Sequence, residues 1–324
     1  MADAGAAAKR LAAVMALLVV LVAPLGALDP AAPAGAATTS LPATDPFDPS
    51  QLSSLLAGGL AITPVPAETA AGLSAVPTTL PVIYADRCHE THYSIAWAPC
   101  HFADLAAATN VWLIGDSHGA EWFPALHTIA VAKSWRLTSH TKSGCPPVDG
   151  IIPNNPTDPN AGDYIDCQTW NTMILNHLAT QRPDLVIIGA LTAEINPYHV
   201  TQFETYIKKL TALVPHVIVL GDSPYPKFDI PSCIAAHLSD AAACAFLRST
   251  KTAVTGQAVI QTMVSSQTTA IFLPTVDWLC GTTYCPAIIR GIVIYRDGSH
   301  LAMVASHDLS TLLSDQLSAD VPGL

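Results

Sequence analysis

Short hydrophobic runs alternate along this chain with longer segments in which hydrophobic residues recur at helical spacing. Several runs are hydrophobic at every position and rich in β-branched residues, which favour strands. A strand that is hydrophobic on both sides is typical of a parallel sheet with helices on both faces. The predicted strands are residues 111–114, 135–139, 185–188, 217–220, 270–273 and 292–295.

The segments between these runs predict the helices, because their hydrophobic positions lie on one side of a helix. Strands that alternate with helices indicate an α/β fold. We therefore predict a three-layer α/β/α sandwich with a central, mostly parallel sheet. The predicted helices are residues 51–60, 118–133, 167–181, 201–213, 239–265 and 301–317.

The N-terminal part of the chain has a different character. Lys9 and Arg10 precede an apolar run at residues 11–28, and small residues at 34–36 offer a cleavage site, which is the pattern of a secretory signal. The run is shorter than the roughly 20 residues of a membrane-spanning helix, and an uncleaved anchor is the alternative. The predicted organisation is a signal peptide or N-terminal anchor at 1–36, an Ala/Pro/Thr-rich linker and lead-in segment at 37–83, and one globular domain at 84–324.

Charge and cysteine content narrow the classes of function. The chain has 14 Lys and Arg against 25 Asp and Glu, a formal net charge of −11. An acidic protein is repelled by phosphate backbones, so nucleic acid is not an expected partner. The eight cysteines are an even number, which suits disulfides in an oxidising compartment. Together with the N-terminal pattern, this predicts an extracytoplasmic protein that is secreted or anchored by its apolar segment.

The first chemical candidate directly follows the first predicted strand. The chain reads Gly-Asp-Ser-His-Gly at residues 115–119. In an open parallel sheet, sites form outside the carboxyl ends of the strands, and the start of the next helix favours an oxyanion there. Ser117 therefore stands where a nucleophile is expected. The alternative is that Asp116 and Ser117 only cap the helix.

A second candidate pair follows the last predicted strand. Asp297 precedes His300 by three residues, so its carboxylate can hold the imidazole in one tautomer. That imidazole can then take the proton of Ser117. Any one of the 12 histidines is a weak signal, but Gly-Asp-Ser after one strand and Asp-x-x-His after another is a specific combination.

Three sequence blocks resemble the SGNH, or GDSL-type, esterases and acyltransferases. They are most similar to the SGNH domains attached to membrane O-acyltransferases that modify bacterial surface polysaccharides. The blocks are VWLIGDSHGAEWFP at 111–124, TKSGCPP at 141–147 and WLCGTTYCPAIIRGIVIYRDGSH at 278–300. A lead-in segment, ITPVPAETAAGLSAVP at 62–77, also resembles this family. The resemblance covers about residues 50–324 and implies the flavodoxin-like SGNH fold for the globular domain.

The resemblance also implies roles for individual residues. Ser117 is the implied nucleophile, His300 the base and Asp297 the residue that orients the base. The backbone N–H groups of Ser117 and Gly144 are the implied donors of an oxyanion hole.

Two further residues are candidates for contact with substrate. The usual SGNH pattern has an Asn after the central strand, whereas residues 189–192 read Gly-Ala-Leu-Thr in this chain. Asn196 lies a few residues further on and is the candidate substitute. His118 stands where relatives carry an apolar residue, and it either binds ester or acceptor or only packs in the first helical turn.

Local spacing suggests a pairing of the cysteines, and the resemblance supports it. A zinc site formed by Cys88, His89, His92 and Cys100 is an alternative, but "CHETH" lacks the His-Glu-x-x-His spacing of zinc hydrolases. We therefore expect disulfides, with no metal and no cofactor. The predicted pairs are Cys88–Cys100, Cys145–Cys167, Cys233–Cys244 and Cys280–Cys285.

These observations predict a serine esterase or O-acyltransferase that acts outside the cytoplasm. Its expected substrates are O-acyl groups, expected to be O-acetyl, of cell-envelope carbohydrate, handled through an acyl-Ser117 intermediate. The expected partners are a carbohydrate or acyl-ester substrate and, for transfer, a membrane protein that donates the acyl group. The alternatives are a non-catalytic glycan-binding module on the same scaffold and a lipase for long acyl chains.

Overall fold

The computed structural model describes residues 45–98, 100–154, 160–195, 199–224, 226–248 and 255–324. The predicted signal or anchor at 1–36 lies outside the described residues, and so does Asn196. Among the described helices, none has the length and hydropathy to cross a membrane.

Strands and helices alternate through most of the described chain. The strands are β1 (His89–Glu90), β2 (His101–Ala103), β3 (Asn110–Gly115), β4 (Arg136–Lys142), β5 (Leu185–Gly189), β6 (His216–Leu220), β7 (Phe246–Leu247), β8 (Ile271–Leu273), β9 (Tyr284–Cys285), β10 (Ile288–Ile289) and β11 (Ile292–Val293). The helices are α1 (Leu52–Gly59), α2 (Ala67–Gly72), α3 (Val82–Ala85), α4 (Ser117–Ala120), α5 (Phe123–Ala132), α6 (Ile165–Gln181), α7 (Thr192–Ile195), α8 (Val200–Thr211), α9 (Ile230–Ala236), α10 (Thr255–Gln267), α11 (Val276–Leu279), α12 (Met303–Asp308) and α13 (Ser310–Asp320). Short 3-10 helices lie at Pro49–Gln51, Leu73–Thr78 and Ala241–Cys244.

The central sheet has the order β1-β4-β3-β5-β6-β8, and β2 also pairs with β4. All of these pairs are parallel except β2 with β4. The strands β4-β3-β5-β6-β8 alone follow the flavodoxin-like order 2-1-3-4-5, in which ligands bind where the order reverses, beside the first strand. The predicted α/β fold with a mostly parallel sheet is confirmed, and β3 lies at that reversal.

The two faces of the sheet carry two separate hydrophobic cores. Val111 and Leu113 of β3 belong to one core, and Trp112 and Ile114 belong to the other, because successive side chains of a strand point to opposite faces. Residues of α5, α12 and α13 fill the first core, and residues of α6, α8 and α10 fill the second. Burial on both faces explains why β3, β5 and β6 read as continuous hydrophobic runs.

The strand predicted at 292–295 is not part of the central sheet. The structure pairs β11 with β10 in a separate two-stranded antiparallel hairpin. Arg290 and Gly291 form the tight turn, both with positive φ, and this turn directs the chain back on its neighbour. A run that is buried but pairs only locally has the same hydrophobic pattern as a central strand, so the pattern alone misassigned it.

The segment 239–265, predicted to be mostly helical, is helical in two separate parts among its described residues. The chain forms a 3-10 helix at Ala241–Cys244, then β7, and α10 begins only at Thr255. Cys244 is bonded to Cys233 of α9, and β7 pairs with β9. These long-range ties override the local helical preference.

Regular structure begins well before residue 84, where the sequence predicts the start of the globular domain. Helices α1 to α3 lie within the predicted linker and lead-in segment or directly after it, and Phe47, Leu56 and Ile83 are buried in the first core. Prolines cap or open several of these short helices, a position that suits proline. The proline-rich composition of this segment is therefore compatible with short helices that pack on the core.

The four predicted disulfides are all present in the structure. One of them ties the loop after β4 to α6, and another closes the short loop before β10. The bond between Cys88 and Cys100 occupies the two thiols that the zinc alternative requires. The bonded pairs are Cys88–Cys100, Cys145–Cys167, Cys233–Cys244 and Cys280–Cys285.

Candidate active site

The turn after β3, residues 115–119, is called the nucleophile turn below. It presents Ser117 at the carboxyl edge of the sheet, where α4 begins. Asp116 fixes this turn, because its Oδ1 accepts a hydrogen bond from the backbone N–H of His118 at 2.7 Å. A Cβ on Gly119 would lie 2.6 Å from the carbonyl oxygen of Gly189 at the end of β5. Only glycine lets the turn approach β5 this closely.

The second region is the loop at residues 296–301, called the base loop below. His300 Nε2 lies 2.8 Å from Ser117 Oγ, and His300 Nδ1 lies 2.9 Å from Asp297 Oδ2. The other carboxylate oxygen of Asp297 accepts the backbone N–H groups of Ser299 and His300, each at 2.8 Å. The structure thus brings the three residues singled out in the sequence into one hydrogen-bonded chain.

The pKa shifts of Asp297 and His300 suit a base that is uncharged at neutral pH. Burial opposes the ionisation of Asp297, but its hydrogen bonds from His300 and Ser299 outweigh burial and lower its pKa. Burial lowers the pKa of His300, and the nearby charges of His118 and Arg296 lower it further against the effect of Asp297. His300 is therefore unprotonated and able to accept the Ser117 proton at neutral pH.

The base loop is held by hydrogen bonds rather than by a strand of the central sheet. Arg296 N–H donates to the carbonyl of His300 at 3.0 Å, which closes the loop on itself. Glu121, directly after α4, accepts the Leu301 N–H at 2.9 Å and the Ser223 hydroxyl at 2.7 Å. Glu121 therefore joins the base loop to the nucleophile turn.

Sequence reasoning missed Glu121 and Asp222, which lies two residues after the end of β6. Asp222 Oδ1 lies 2.8 Å from His118 Nδ1, and its Oδ2 accepts the N–H and hydroxyl of Thr192. Both carboxylates are buried. A signal was available in each case, because a charged residue directly follows or interrupts a strongly hydrophobic block and buried charges are rare without a partner.

One group among the described residues has the composition and spacing of a metal site. His118, Glu121 and Asp222 are all buried, and their candidate ligand atoms lie within 4.8 Å of one another. Protein groups already satisfy these atoms: His118 bonds to Asp222, and Glu121 accepts from Ser223 and Leu301. We therefore interpret the group as a hydrogen-bonded cluster.

The predicted oxyanion donor Gly144 lies just beyond β4, which pairs with β3 so that Thr141 is beside Gly115. Gly144 has a φ of +57°, a left-handed conformation that favours glycine. It thus belongs to the same edge of the sheet as Ser117. Its role as a donor remains a prediction, as does that of Asn196, which lies outside the described residues.

The family of the chain follows from a match over most of its length. The family model described as "SGNH domain (fused to AT3 domains)" matches residues 87–315. The chain therefore belongs to this SGNH family, and the resemblance noted in the sequence is confirmed. The comparison with curated protein sequences finds no match.

Solved structures share this fold at low sequence identity. The periplasmic domain of the lipopolysaccharide acetyltransferase of Salmonella ser. Paratyphi A is 18% identical, with a TM-score of 0.51, and the match covers 66% of this chain and 85% of that chain. Est24, a carbohydrate acetylesterase from Sinorhizobium meliloti, is 14% identical, with a TM-score of 0.40 and coverage of 65% and 99%. At this level of identity, the likeness to the first structure shows the fold alone.

Proposed function

We propose that this protein is an extracytoplasmic serine esterase or O-acyltransferase that acts on O-acyl groups of cell-envelope carbohydrate, with O-acetyl as the expected group. The observation that carries the proposal is the hydrogen-bonded chain from Ser117 Oγ through the His300 ring to Asp297. This arrangement is the one that activates a serine hydroxyl in unrelated serine hydrolases.

In the first half of the reaction, Ser117 Oγ attacks the carbonyl carbon of the ester while His300 Nε2 takes its proton. The ionised Asp297 stabilises the imidazolium that forms. The tetrahedral intermediate then expels the sugar oxygen, which receives the proton from His300. The products of this half are the free sugar hydroxyl and an acyl group esterified to Ser117.

In the second half, His300 removes a proton from the acceptor as its oxygen attacks the acyl-Ser117 carbonyl. A water acceptor gives a carboxylic acid, and a sugar hydroxyl gives a new ester; in both cases Ser117 recovers its proton from His300. The backbone N–H groups of Ser117 and Gly144 would stabilise the oxyanion in both halves, and such donors are typically worth about 3 kcal/mol each.

The comparisons support an enzyme of acyl chemistry and a partner in the membrane. The family description refers to domains fused to AT3 domains, and a membrane protein that donates the acyl group is the partner we propose for transfer. The four disulfides favour an oxidising compartment. We extend the proposal to the N-terminal segment, which would be a signal peptide or anchor at 1–36 ahead of the folded part.

The test is the release of p-nitrophenol from p-nitrophenyl acetate by the protein with its disulfides formed. We expect turnover by the parent and none by Ser117→Ala, together with a mass gain of one acetyl group on Ser117 in rapidly quenched parent protein. Ser318→Ala is the matched control, because Ser318 is an exposed serine of α13 and its loss should leave the rate unchanged.

Added sugars then separate transfer from hydrolysis, because an acceptor sugar becomes acetylated only if the acyl group is transferred. Equal inactivity of folded parent and Ser117→Ala towards this ester, with no acetyl on Ser117, would contradict the proposal. The glycan-binding module would then be the better explanation of the fold.

A further inference from the structure

His118, of the nucleophile turn, forms a buried charged cluster with Asp116, Glu121 and Asp222. The proposed mechanism does not use this cluster. His118 is 2% exposed, and its Nδ1 is 2.8 Å from Asp222 Oδ1. Its ring lies against the ring of His300, with 4.7 Å between the centroids and an angle of 44° between the planes. One residue thus connects the carboxyl end of β6 to the proposed base.

His118 carries a positive charge at neutral pH. Burial opposes protonation of its ring, but the carboxylates of Asp222, Glu121 and Asp116 outweigh burial and raise its pKa to about 10. Burial also raises the pKa of Glu121 to about 7. The hydrogen bond to Asp222 therefore holds a cation in a fixed place next to His300.

We propose that His118 is a positioning residue for His300: held by Asp222, its charged ring packs against the His300 ring and keeps that ring unprotonated and directed at Ser117. This inference rests on the proposed function, because it assumes that His300 is the base. It replaces the choice between substrate binding and simple packing with a third role, in which His118 acts through another residue.

The charged groups around His300 show why such a residue is needed. Asp297 favours the protonated form of His300, and a protonated His300 cannot take the Ser117 proton. Burial, His118 and Arg296 act in the opposite direction, and His89 of β1 lies near enough to interact with His300. Among these groups, His118 is the one whose ring contacts the His300 ring. Two positive charges at this distance repel each other, which disfavours protonation of His300.

Besides their hydrogen bonds to backbone and hydroxyl groups, the carboxylates of the cluster favour the protonated form of His118. Asp222 faces His118 from the end of β6, while Asp116 and Glu121 flank it along the chain. The phenols of Tyr84 and Tyr295 have raised pKa values because they are buried, so they remain neutral. Removal of the His118 charge should therefore raise the pKa of His300.

The experiment compares His118→Gln with a double variant in which Asp222→Asn is added. The single variant leaves a buried carboxylate without a cation and can be unstable, whereas the double variant replaces the ion pair with two neutral amides. His140→Gln is the control, because burial lowers the pKa of His140 to about 3. That ring is neutral, and it packs against Trp97 and Trp112.

Two measurements are made on each folded variant. The first is the NMR titration of the His300 ring, identified by its loss in His300→Gln, and the second is the pH dependence of kcat/KM for p-nitrophenyl acetate. We expect the pKa of His300 to rise by about one unit in either His118 variant. At pH values below the His300 pKa of the parent, kcat/KM of the variant should be about tenfold lower than that of the parent. At high pH, the kcat/KM values of variant and parent should converge. His140→Gln should show no shift.

The two readouts separate this inference from the proposed function. If the parent turns over no ester, the proposed function fails, and the NMR titration still decides whether His118 controls the charge of His300. An unmoved His300 titration in the folded single or double variant overturns the inference even if ester turnover persists. A loss of kcat/KM that is equal at every pH, with the titration unmoved, would mean a merely structural role and overturns it as well.

Discussion

The nucleophile turn and the base loop reach the same point by different means. The nucleophile turn follows β3, which is buried at every position and paired on both sides by β4 and β5. The base loop follows a two-residue strand of a separate hairpin. It is positioned by the bond from Leu301 to Glu121, by hydrogen bonds from the N–H groups of Lys227 and Ile230 to carbonyls of the loop, and by hydrogen bonds within the loop.

Because of this difference, substitutions in the two regions should affect stability and activity differently. The backbone of the central sheet places Ser117, so a disturbance there also disturbs the fold. A small number of hydrogen bonds places His300, so a disturbance there should reduce activity while most of the stability remains. Four predictions test this comparison, and they are given in order of decreasing effect.

Loss of the base should have the largest effect. We expect His300→Ala to lower kcat/KM for p-nitrophenyl acetate by about 10,000-fold, because His300 is the base that contacts Ser117 Oγ in the described part of the chain. The free energy of unfolding should fall by less than in the Gly119→Ala variant described below, since the backbone hydrogen bonds of the base loop stay in place. His237→Ala, at an exposed position, is the control. A His300→Ala variant that keeps more than a tenth of the parent rate would remove His300 from the mechanism.

A change in the nucleophile turn should destabilise the folded protein and not only reduce its activity. Gly119→Ala places a Cβ 2.6 Å from the backbone oxygen of Gly189, and we expect it to lower the free energy of unfolding by about 3 kcal/mol. Denaturant unfolding measures this loss. Gly58→Ala in α1 meets nothing within 4 Å and should stabilise by about 0.5 kcal/mol. Equal stability of both variants would show that the turn is not packed against β5.

Weakening the link between the two regions should have an intermediate effect. Glu121→Gln replaces one carboxylate oxygen by an amide NH2. Because an NH2 group does not accept hydrogen bonds here, the side chain can no longer accept from both the Leu301 N–H and the Ser223 hydroxyl. We expect kcat/KM to fall about tenfold and stability by about 1.5 kcal/mol. Glu204→Gln, which affects only a surface pair with Lys208, should change neither quantity measurably. Full activity of Glu121→Gln would mean that the other hydrogen bonds of the base loop are enough to position it.

The pH dependence should give the smallest effect. Burial first, and then the charges of His118 and Arg296, lower the pKa of His300 in the folded protein. Because only the neutral ring accepts the Ser117 proton, kcat/KM should be constant above that pKa and fall as the pH drops through it. The midpoint of the acid limb should lie below the usual histidine value of about 6.5. A midpoint clearly above that value would contradict the environment described for His300.

Much of the fold and half of the site's arrangement could be predicted from the sequence. The hydrophobic runs at β3, β5 and β6 were correctly placed because burial on both faces leaves a local pattern. Gly-Asp-Ser at 115–117 and Asp-x-x-His at 297–300 are short motifs, so they too were visible. Glu121 and Asp222, which tie these motifs to their surroundings, belong to no motif and carry only the weaker signal of a charge beside a hydrophobic block.

Local patterns in the chain were enough to predict the α/β class, the nucleophile turn and the pairing of neighbouring cysteines, because each depends on residues close together. The folded structure was needed to show that β11 pairs locally with β10, and that His118 meets Asp222, 104 residues away. The same holds for the bond between Glu121 and Leu301, which are 180 residues apart. Such contacts depend on the order of strands in the sheet, and a buried charge carries no local mark of the partner that stabilises it.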